Sequence, residues 1–269
     1  MLRHERYFVQ GDYRVIAGVD ESGCGCLAGP VIAGAVVLPE KARIINLNDS
    51  KKLNSEERTE VLEYICDYAL AIGVGIATAE EIDKINIRQA AILAAERAIK
   101  ALPIQPDFLV TDGLLYPALN IPYNSIVRGD STCRAIAAAS IVAKVFRDRI
   151  MNAYHQEYPA YAFAEHKGYA TKTHIKAIEN YGASTIHRLS FHGVAWFNQE
   201  LVYSTTYQMF IQRMSKEDYA ISDALDIEAE VANLCHFLPS REIVTLRQFM
   251  KSRNLVSDTS GSDGETKQL

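Results

Sequence analysis

The chain has 269 residues and a formal net charge of −5, and 48% of its residues are hydrophobic and 23% charged. This balance is typical of a globular protein with a hydrophobic core, and the negative charge argues against a protein that coats nucleic acid by bulk attraction. No apolar run reaches about 18 residues, which excludes a membrane span. The N-terminal stretch is too charged for a secretory signal. The five cysteines are irregularly spaced, which excludes a disulfide framework. We expect a cytoplasmic protein.

Strand and helix patterns alternate from the first apolar run onward. Two β-branched runs, 14–20 and 31–38, are joined by a glycine-rich turn and predict buried strands. Asn54 followed by Glu57 is a capping-box pattern and predicts the start of a helix. The apolar run 71–78 then predicts a third strand.

A second capping box, formed by Thr78 and Glu81, predicts a helix that continues to about Leu102. Its inward-facing residues are predicted to be Ile82, Ile85, Ile92 and Leu93. Short strands are predicted at 107–112 and 123–130, and each ends in an acid. The recurrence of strand and helix predicts an α/β fold.

The remaining residues predict mainly helices. An alanine-rich helix, the strongest in the chain, is expected to begin at Asp130, and a shorter helix is expected to end at Gly182. We expect a main domain over residues 1–198, a helical C-terminal extension over 199–254 and a disordered tail over 255–269.

Four carboxylates stand at the ends of apolar segments: Asp20, Glu21, Asp112 and Asp130. Strand ends in an open α/β sheet are where distant side chains converge. Acids that meet there would repel one another unless a cation lay between them, and carboxylate oxygens suit Mg²⁺ or Mn²⁺. Two such ions could promote attack on a phosphodiester. The alternative is that each acid is a turn or cap residue.

The chain resembles ribonuclease HII from about residue 14 to 196. The stretches that carry the resemblance include GVDESGCGCLAGPV, NDSKKL, RGDSTCRAIAAASIVAKVFRDRIM, YPAYAFAEHKGYATKTH and HRLSF. The resemblance implies an RNase H-like fold, with a central mixed sheet flanked by helices. It implies hydrolysis of the RNA strand in RNA–DNA hybrids, and cleavage on the 5′ side of ribonucleotides embedded in duplex DNA that leaves 3′-hydroxyl and 5′-phosphate ends.

The same resemblance implies a set of site residues. The ligands of two divalent ions, Mn²⁺ or Mg²⁺, would be Asp20, Glu21, Asp112 and Asp130, with Asp20 shared between the ions. Tyr169 matches the family tyrosine that packs on the sugar beside the scissile phosphate. A flat ring at that place can distinguish ribose from deoxyribose by shape.

Basic residues in the matching stretches have two interpretations each. Lys51 and Lys52 match positions where the family contacts phosphates, and the alternative is a solvated pair before a helix. In HRLSF, we expect His187 and Arg188 to make structural hydrogen bonds rather than to take part in catalysis.

Two further basic residues lie on the alanine-rich helix. Lys144 and Arg147 are one turn apart there and could face the substrate backbone. The alternative is that they pair with nearby acids such as Asp148 or Glu157.

The opening turn departs from the family pattern at Cys24. The family usually has Gly-Arg-Gly, whereas this chain has Gly23-Cys24-Gly25. The glycines still allow backbone groups to approach a 2′-hydroxyl, but a thiol lacks the charge and the donor fork of arginine. We expect an active enzyme that binds its junction substrate more weakly. A redox switch at Cys24 is a further hypothesis, and an unreactive turn residue is its alternative.

The alternative functions are those of a ribonuclease HIII-like hybrid nuclease, a non-catalytic hybrid-binding relative, and a general metal-dependent nuclease or phosphatase. With the acid pair at residue 20, we expect no room for the N-terminal domain typical of ribonuclease HIII. The expected partners are RNA–DNA hybrid and ribonucleotide-containing duplex DNA. We expect a monomer that does not bind membranes, and the sequence identifies no protein partner.

Overall fold

The computed structural model describes residues 2–195, except for residues 43, 48, 49, 51, 52, 114 and 116. The predicted extension at 199–254 and the predicted tail at 255–269 therefore lie outside the described residues. In the part of the chain that is described, no helix is both long enough and apolar enough to cross a membrane.

Five strands form one mixed sheet in the order β3–β2–β1–β4–β5. The strands are β1 (Ile16–Ser22), β2 (Val31–Val37), β3 (Ala71–Ala77), β4 (Phe108–Asp112) and β5 (Tyr123–Ile126). Strand β2 is antiparallel to both β1 and β3, whereas β4 is parallel to both β1 and β5. All five predicted strands are present, but the fifth ends at Ile126 and not at the predicted Asp130, which lies in the turn that follows. Because β1, β4 and β5 run in the same direction, their C-terminal ends lie at one edge of the sheet.

The helices flank this sheet and begin where the capping residues predict. They are α1 (Ser55–Tyr68), α2 (Ala79–Lys100), α3 (Arg134–Glu157), α4 (Phe163–His166), α5 (Lys172–Tyr181) and α6 (His192–Ala195). Both capping boxes are present, and Gly182 ends α5 with a φ of 79°. Helix α3 begins at Arg134 and not at Asp130, because Asp130 lies in a short 3₁₀ turn, Gly129–Ser131, that precedes it.

Helix α2 departs from the prediction at Asn86. This residue has a φ of 66° and a ψ of 162°, and its side chain accepts hydrogen bonds from the amides of Arg88 and Gln89. Asn86 thus interrupts the helix and caps the segment that follows. The prediction that Ile85 faces the core is wrong: Ile85 precedes this kink and is 38% exposed, whereas Ile82 is buried.

Helices pack closely on both faces of the sheet. A Cβ at Gly75 of β3 would lie 2.0 Å from the carbonyl oxygen of Ala94 in α2, and one at Gly34 of β2 would lie 2.4 Å from that of Ala139 in α3. Alternate residues of β2 belong to two different core clusters, one with α2 and one with α1 and α3. This arrangement confirms the expected α/β fold with helices on both sides of a mixed sheet.

A third core cluster lies outside the sheet and is built around Tyr161 and Phe163. Three histidines pack against these rings: His166, His174 and His187. All three are buried. Burial lowers the pKa of His174 to about 4 and that of His187 to about 3, so both are neutral in the folded protein near neutral pH.

These two histidines should make the protein sensitive to acid. In the unfolded chain each regains a pKa of about 6.5, so their contribution to stability is complete above pH 6.5 and is lost as the pH falls toward 4. We expect the free energy of unfolding, measured by urea denaturation, to fall by about 2–4 kcal/mol between pH 7 and pH 5. A His187→Gln variant should show a shallower fall, and His192→Gln, at an exposed position, should not. An equal fall in all three proteins would contradict this assignment.

Candidate active site

The sheet brings three of the four predicted acids together. Asp20 and Glu21 lie near the end of β1, and Asp112 is the last residue of β4. In the parallel pairing of these strands Val19 faces Thr111, so Asp20 and Asp112 follow side by side. Burial raises the pKa of Asp20 well above its usual value, and the charges of Glu21 and Asp112 raise it further.

The fourth acid, Asp130, follows directly on a residue that binds Asp112. The amide of Gly129 donates a hydrogen bond to Asp112 Oδ1 at 2.6 Å, and a Cβ at Gly129 would lie 3.3 Å from the same oxygen. Asp130 is buried. The turn before α3 therefore carries Asp130 to the edge of the sheet where the other acids lie.

Two serines that the sequence analysis missed support Asp20. Oδ1 of Asp20 accepts from the amide of Glu21 at 2.7 Å, and the Asp20 side chain is also hydrogen-bonded to Ser140. The hydroxyl of Ser140 lies 2.9 Å from that of Ser50, and both serines are buried. The sequence contains one signal for this contact: Ser140 is the one polar residue in the stretch 135–143 of the alanine-rich helix.

The side-chain oxygens of the four acids are chemically suited to bind a divalent cation. Among the residues that the structure describes, no group of three or more histidine, cysteine, aspartate or glutamate side chains is arranged to hold a metal ion. The candidate donors are nevertheless all carboxylate oxygens, which hard cations prefer. Burial and two neighbouring carboxylates disfavour the charged form of Asp20, and a cation between the acids would reverse that effect. The ligand set therefore stays a prediction that the chemistry of the donors supports.

Arg188 holds the glycine turn that follows β1. Its guanidinium group donates to the carbonyls of Gly23 (2.7 Å), Cys24 (3.0 Å) and Gly29 (3.0 Å). Burial lowers the pKa of Arg188 to about 10, so the group is still charged at neutral pH. These contacts agree with the expectation of structural hydrogen bonds in HRLSF.

Arg147 lies behind the same turn, and both interpretations made from the sequence are wrong. It is fully buried, so it cannot contact a substrate, and it forms no ion pair with an acid of the described residues: it donates to the carbonyls of Ala28, Pro30 and Lys167 at 2.9–3.1 Å. A Cβ at Gly23, whose φ is +102°, would lie 2.1 Å from Arg147 Nε. Gly23 is therefore required for its backbone conformation and for this contact.

Cys24 contacts the acid pair through its thiol. The sulfur lies 3.6 Å from Glu21 Oε1, to which it donates. Burial, and next the negative charge of Glu21, raise the pKa of Cys24 to about 12. A thiol that stays protonated is a poor nucleophile and oxidises slowly. The structure thus favours the unreactive turn residue over the redox switch.

Tyr169 lies beside this turn with its ring partly exposed, at 44%. Its hydroxyl is hydrogen-bonded to Cys26, a contact that the sequence analysis missed. Lys144 Nζ lies 6.0 Å from the centre of the Tyr169 ring and 2.6 Å from Asp148. The alternative in which Lys144 pairs with Asp148 is confirmed, and the same lysine also stands next to the tyrosine.

Lys51 and Lys52 lie outside the described residues. The residues on either side of them are held by Arg58, which donates to the carbonyls of Ser50 (3.1 Å) and Leu53 (2.5 Å). Arg58 also lies 3.6 Å from Asp148. The proposed phosphate-binding role of the two lysines stays a prediction.

Comparison with known proteins identifies a family. A family model described as "Ribonuclease HII" matches residues 17–194. The ribonuclease HII of Geotalea daltonii is 50% identical over 68% of this chain and 84% of its own length. That of Bacillus velezensis is 48% identical over 71% of this chain and 74% of its own length.

Solved structures agree with the fold. The ribonuclease H2 of Pyrococcus horikoshii superposes with a TM-score of 0.59 at 25% identity, over 68% of this chain and 96% of that one. The ribonuclease HII in a PCNA complex from Archaeoglobus fulgidus superposes with a TM-score of 0.56 at 22% identity, over 66% and 95% of the two chains.

The two glycines of the turn should respond differently to the same substitution. A Cβ at Gly25 meets no atom within 4 Å, whereas one at Gly23 would overlap Arg147 in a backbone conformation that L-residues rarely adopt. We expect Gly23→Ala to lower the free energy of unfolding by about 2 kcal/mol or more, and Gly25→Ala to change it by less than about 0.5 kcal/mol. Urea denaturation measures both, and equal losses would contradict the packing described here.

Proposed function

This chain belongs to the ribonuclease HII family, and we propose that the acids at the C-terminal edge of its sheet form the active site. Membership makes the protein an endoribonuclease that acts on RNA–DNA hybrids. We further propose that it cleaves on the 5′ side of single ribonucleotides in duplex DNA and leaves 3′-hydroxyl and 5′-phosphate ends. The observation that carries the proposal is the meeting of Asp20, Glu21 and Asp112 beside a glycine turn.

Ribonuclease HII enzymes depend on divalent metal ions. In this chain we propose two ions, Mn²⁺ or Mg²⁺, held by Asp20, Glu21, Asp112 and Asp130, with Asp20 shared. When bound, such ions activate water and stabilise the charge that develops on the leaving oxygen.

Residues of this chain position the proposed metal ligands and the proposed substrate contacts. Hydrogen bonds from Ser140 and from the amide of Glu21 fix the carboxylate of Asp20. Open space at Gly25 leaves room for a sugar hydroxyl near the turn, and the exposed face of Tyr169 offers a flat surface for the sugar ring. We propose that Lys144, whose Nζ lies 6.0 Å from the centre of that ring, binds a phosphate of the same strand.

One gel experiment tests this function. Duplexes with no ribonucleotide, with one and with four in a row are incubated with Mg²⁺ or Mn²⁺. We expect cleavage of the ribonucleotide-containing duplexes only, and the single-ribonucleotide duplex should be cut efficiently. Asp112→Asn should lower the rate by at least about 100-fold, because it removes a charged oxygen ligand.

Asp67→Asn is the matched control, because Asp67 is an exposed acid on α1 and its loss should leave the rate unchanged. Cleavage confined to the four-ribonucleotide duplex would instead indicate a ribonuclease HIII-like enzyme. Binding of all hybrids without cleavage would indicate a non-catalytic relative.

A second prediction concerns Cys24. Arg188 holds the carbonyl of this residue and not its side chain, so Cys24→Arg should leave the turn intact and add a charged donor for phosphate. We expect kcat/KM on the single-ribonucleotide duplex to rise roughly 10- to 150-fold, while Cys24→Ala stays near wild type. If Cys24→Arg is no better, Arg128 is the remaining candidate for compensation, because Arg134 is engaged by Glu5 and the carbonyl of Ala42.

We propose RNA–DNA hybrid and ribonucleotide-containing duplex DNA as the binding partners, bound by a monomer in the cytoplasm. The described cysteines support this compartment, since Cys24, Cys26, Cys66 and Cys133 are all free thiols.

A further inference from the structure

We propose that His187 and His174 are positioning residues that hold Tyr169 through a directed series of hydrogen bonds, which we call the histidine chain. It runs from Ser184 through His187 and His174 to the backbone carbonyl of Tyr169. The inference rests on the proposed function, because it takes Tyr169 to be the residue that contacts the sugar of the substrate.

The direction of the chain follows from a single backbone amide. The N–H of Ser184 donates to Nδ1 of His187 at 2.9 Å. An amide can only donate, so Nδ1 accepts, and a neutral His187 must carry its proton on Nε2. That Nε2 lies 3.0 Å from Nε2 of His174, which must therefore accept.

The proton of His174 is consequently on Nδ1, and Nδ1 lies 2.9 Å from the carbonyl oxygen of Tyr169. The chain thus ends in a donor aimed at the backbone of the tyrosine. Both rings are at most 1% exposed, so water does not compete for these hydrogen bonds, and each is worth more than it would be at the surface.

His166 supports the chain from the side. Its ring stacks on His174, with centroids 4.4 Å apart and planes inclined by 15°. Its Nδ1 accepts from the amide of Gly168 at 3.1 Å, so its Nε2 donates to the carbonyl of Tyr161 at 2.8 Å. Its own carbonyl accepts from the amide of Tyr169 at 2.9 Å. The backbone of Tyr169 is therefore fixed on both sides.

The same segments hold the glycine turn. Leu27 donates its amide proton to the carbonyl of Gly168 at 2.8 Å, and Ala28 forms a β-bridge with His187. The histidine chain therefore sets the distance between the Tyr169 ring and the turn. A sugar bound between them would have to fit that distance.

Protonation of His174 would break the chain, because both Nε2 atoms would then carry a proton and face each other at 3.0 Å. The titratable groups acting on the three rings are Glu165, Lys167, His155 and Tyr161, together with the rings themselves.

Two substitutions of His174 separate positioning from stability. His174→Asn keeps an amide donor near the place of Nδ1, whereas His174→Leu has a similar size and no donor. Both lose the acceptor for His187, so both should lower Tm. Only His174→Leu should raise KM for the single-ribonucleotide duplex, by roughly 5- to 10-fold, with a smaller change in kcat. Equal KM values in the two variants would overturn the proposal.

A double-mutant cycle with Tyr169→Ala distinguishes failure of the positioning role from failure of the proposed role of Tyr169. If the histidine chain acts through the tyrosine, His174→Leu should add no further increase in KM to Tyr169→Ala. Unchanged kinetics in Tyr169→Ala alone would remove Tyr169 from the proposed site. Impaired Tyr169→Ala with unimpaired His174→Leu would overturn the positioning role and leave the proposed function standing.

A measurement on the wild-type protein covers the case in which the variants do not fold. Nitrogen-15 NMR at pH 7.5 should show the Nδ1–H tautomer for His174 and the Nε2–H tautomer for His187 and His166. An Nε2–H tautomer at His174 would overturn the proposal, because that ring could not donate to Tyr169.

Discussion

Two buried guanidinium groups hold the glycine turn that follows β1, where we propose that the substrate binds. Arg147 and Arg188 each donate to three backbone carbonyls, and five of these six carbonyls belong to residues 23–30. A buried charge is costly unless its donors are satisfied, so the chain must keep these carbonyls in place. The turn after β1 is therefore fixed by its backbone, and the side chain at position 24 is left out of that function. A thiol can occupy this position without loss of the fold.

The same constraint joins elements that are far apart in the sequence. Arg147 comes from α3, and its third hydrogen bond is to Lys167, two residues before Tyr169. Arg188 comes from the segment that starts the histidine chain. The acids, by contrast, stand on strands whose positions the sheet determines. The proposed site thus has one half on the sheet and a second half on loops, which hydrogen bonds from the arginines and the histidines hold in place.

The sequence predicted the parts that depend on local pattern. The presence of the five strands, both capping boxes and the convergence of Asp20 with Asp112 follow from periodicity, capping chemistry and the rule for parallel strand ends. The kink at Asn86 was not predictable because the helical pattern continues through it. The burial of Arg147 was not predictable either, since a charged residue on a helix is normally exposed and only the tertiary structure supplies its three carbonyl partners.

The neutral residue at position 24 has an electrostatic consequence for the acids. Burial and the charges of Glu21 and Asp112 raise the pKa of Asp20, and the hydrogen bonds from Ser140 and Glu21 oppose this increase. Those hydrogen bonds bring no full charge, so they offset only part of the repulsion. An arginine at position 24 would have placed a positive charge beside Glu21, where the thiol of Cys24 now lies. With cysteine there, no side chain at position 24 offsets the negative charge of the acids, so their ionisation depends more strongly on the cations that they are proposed to bind.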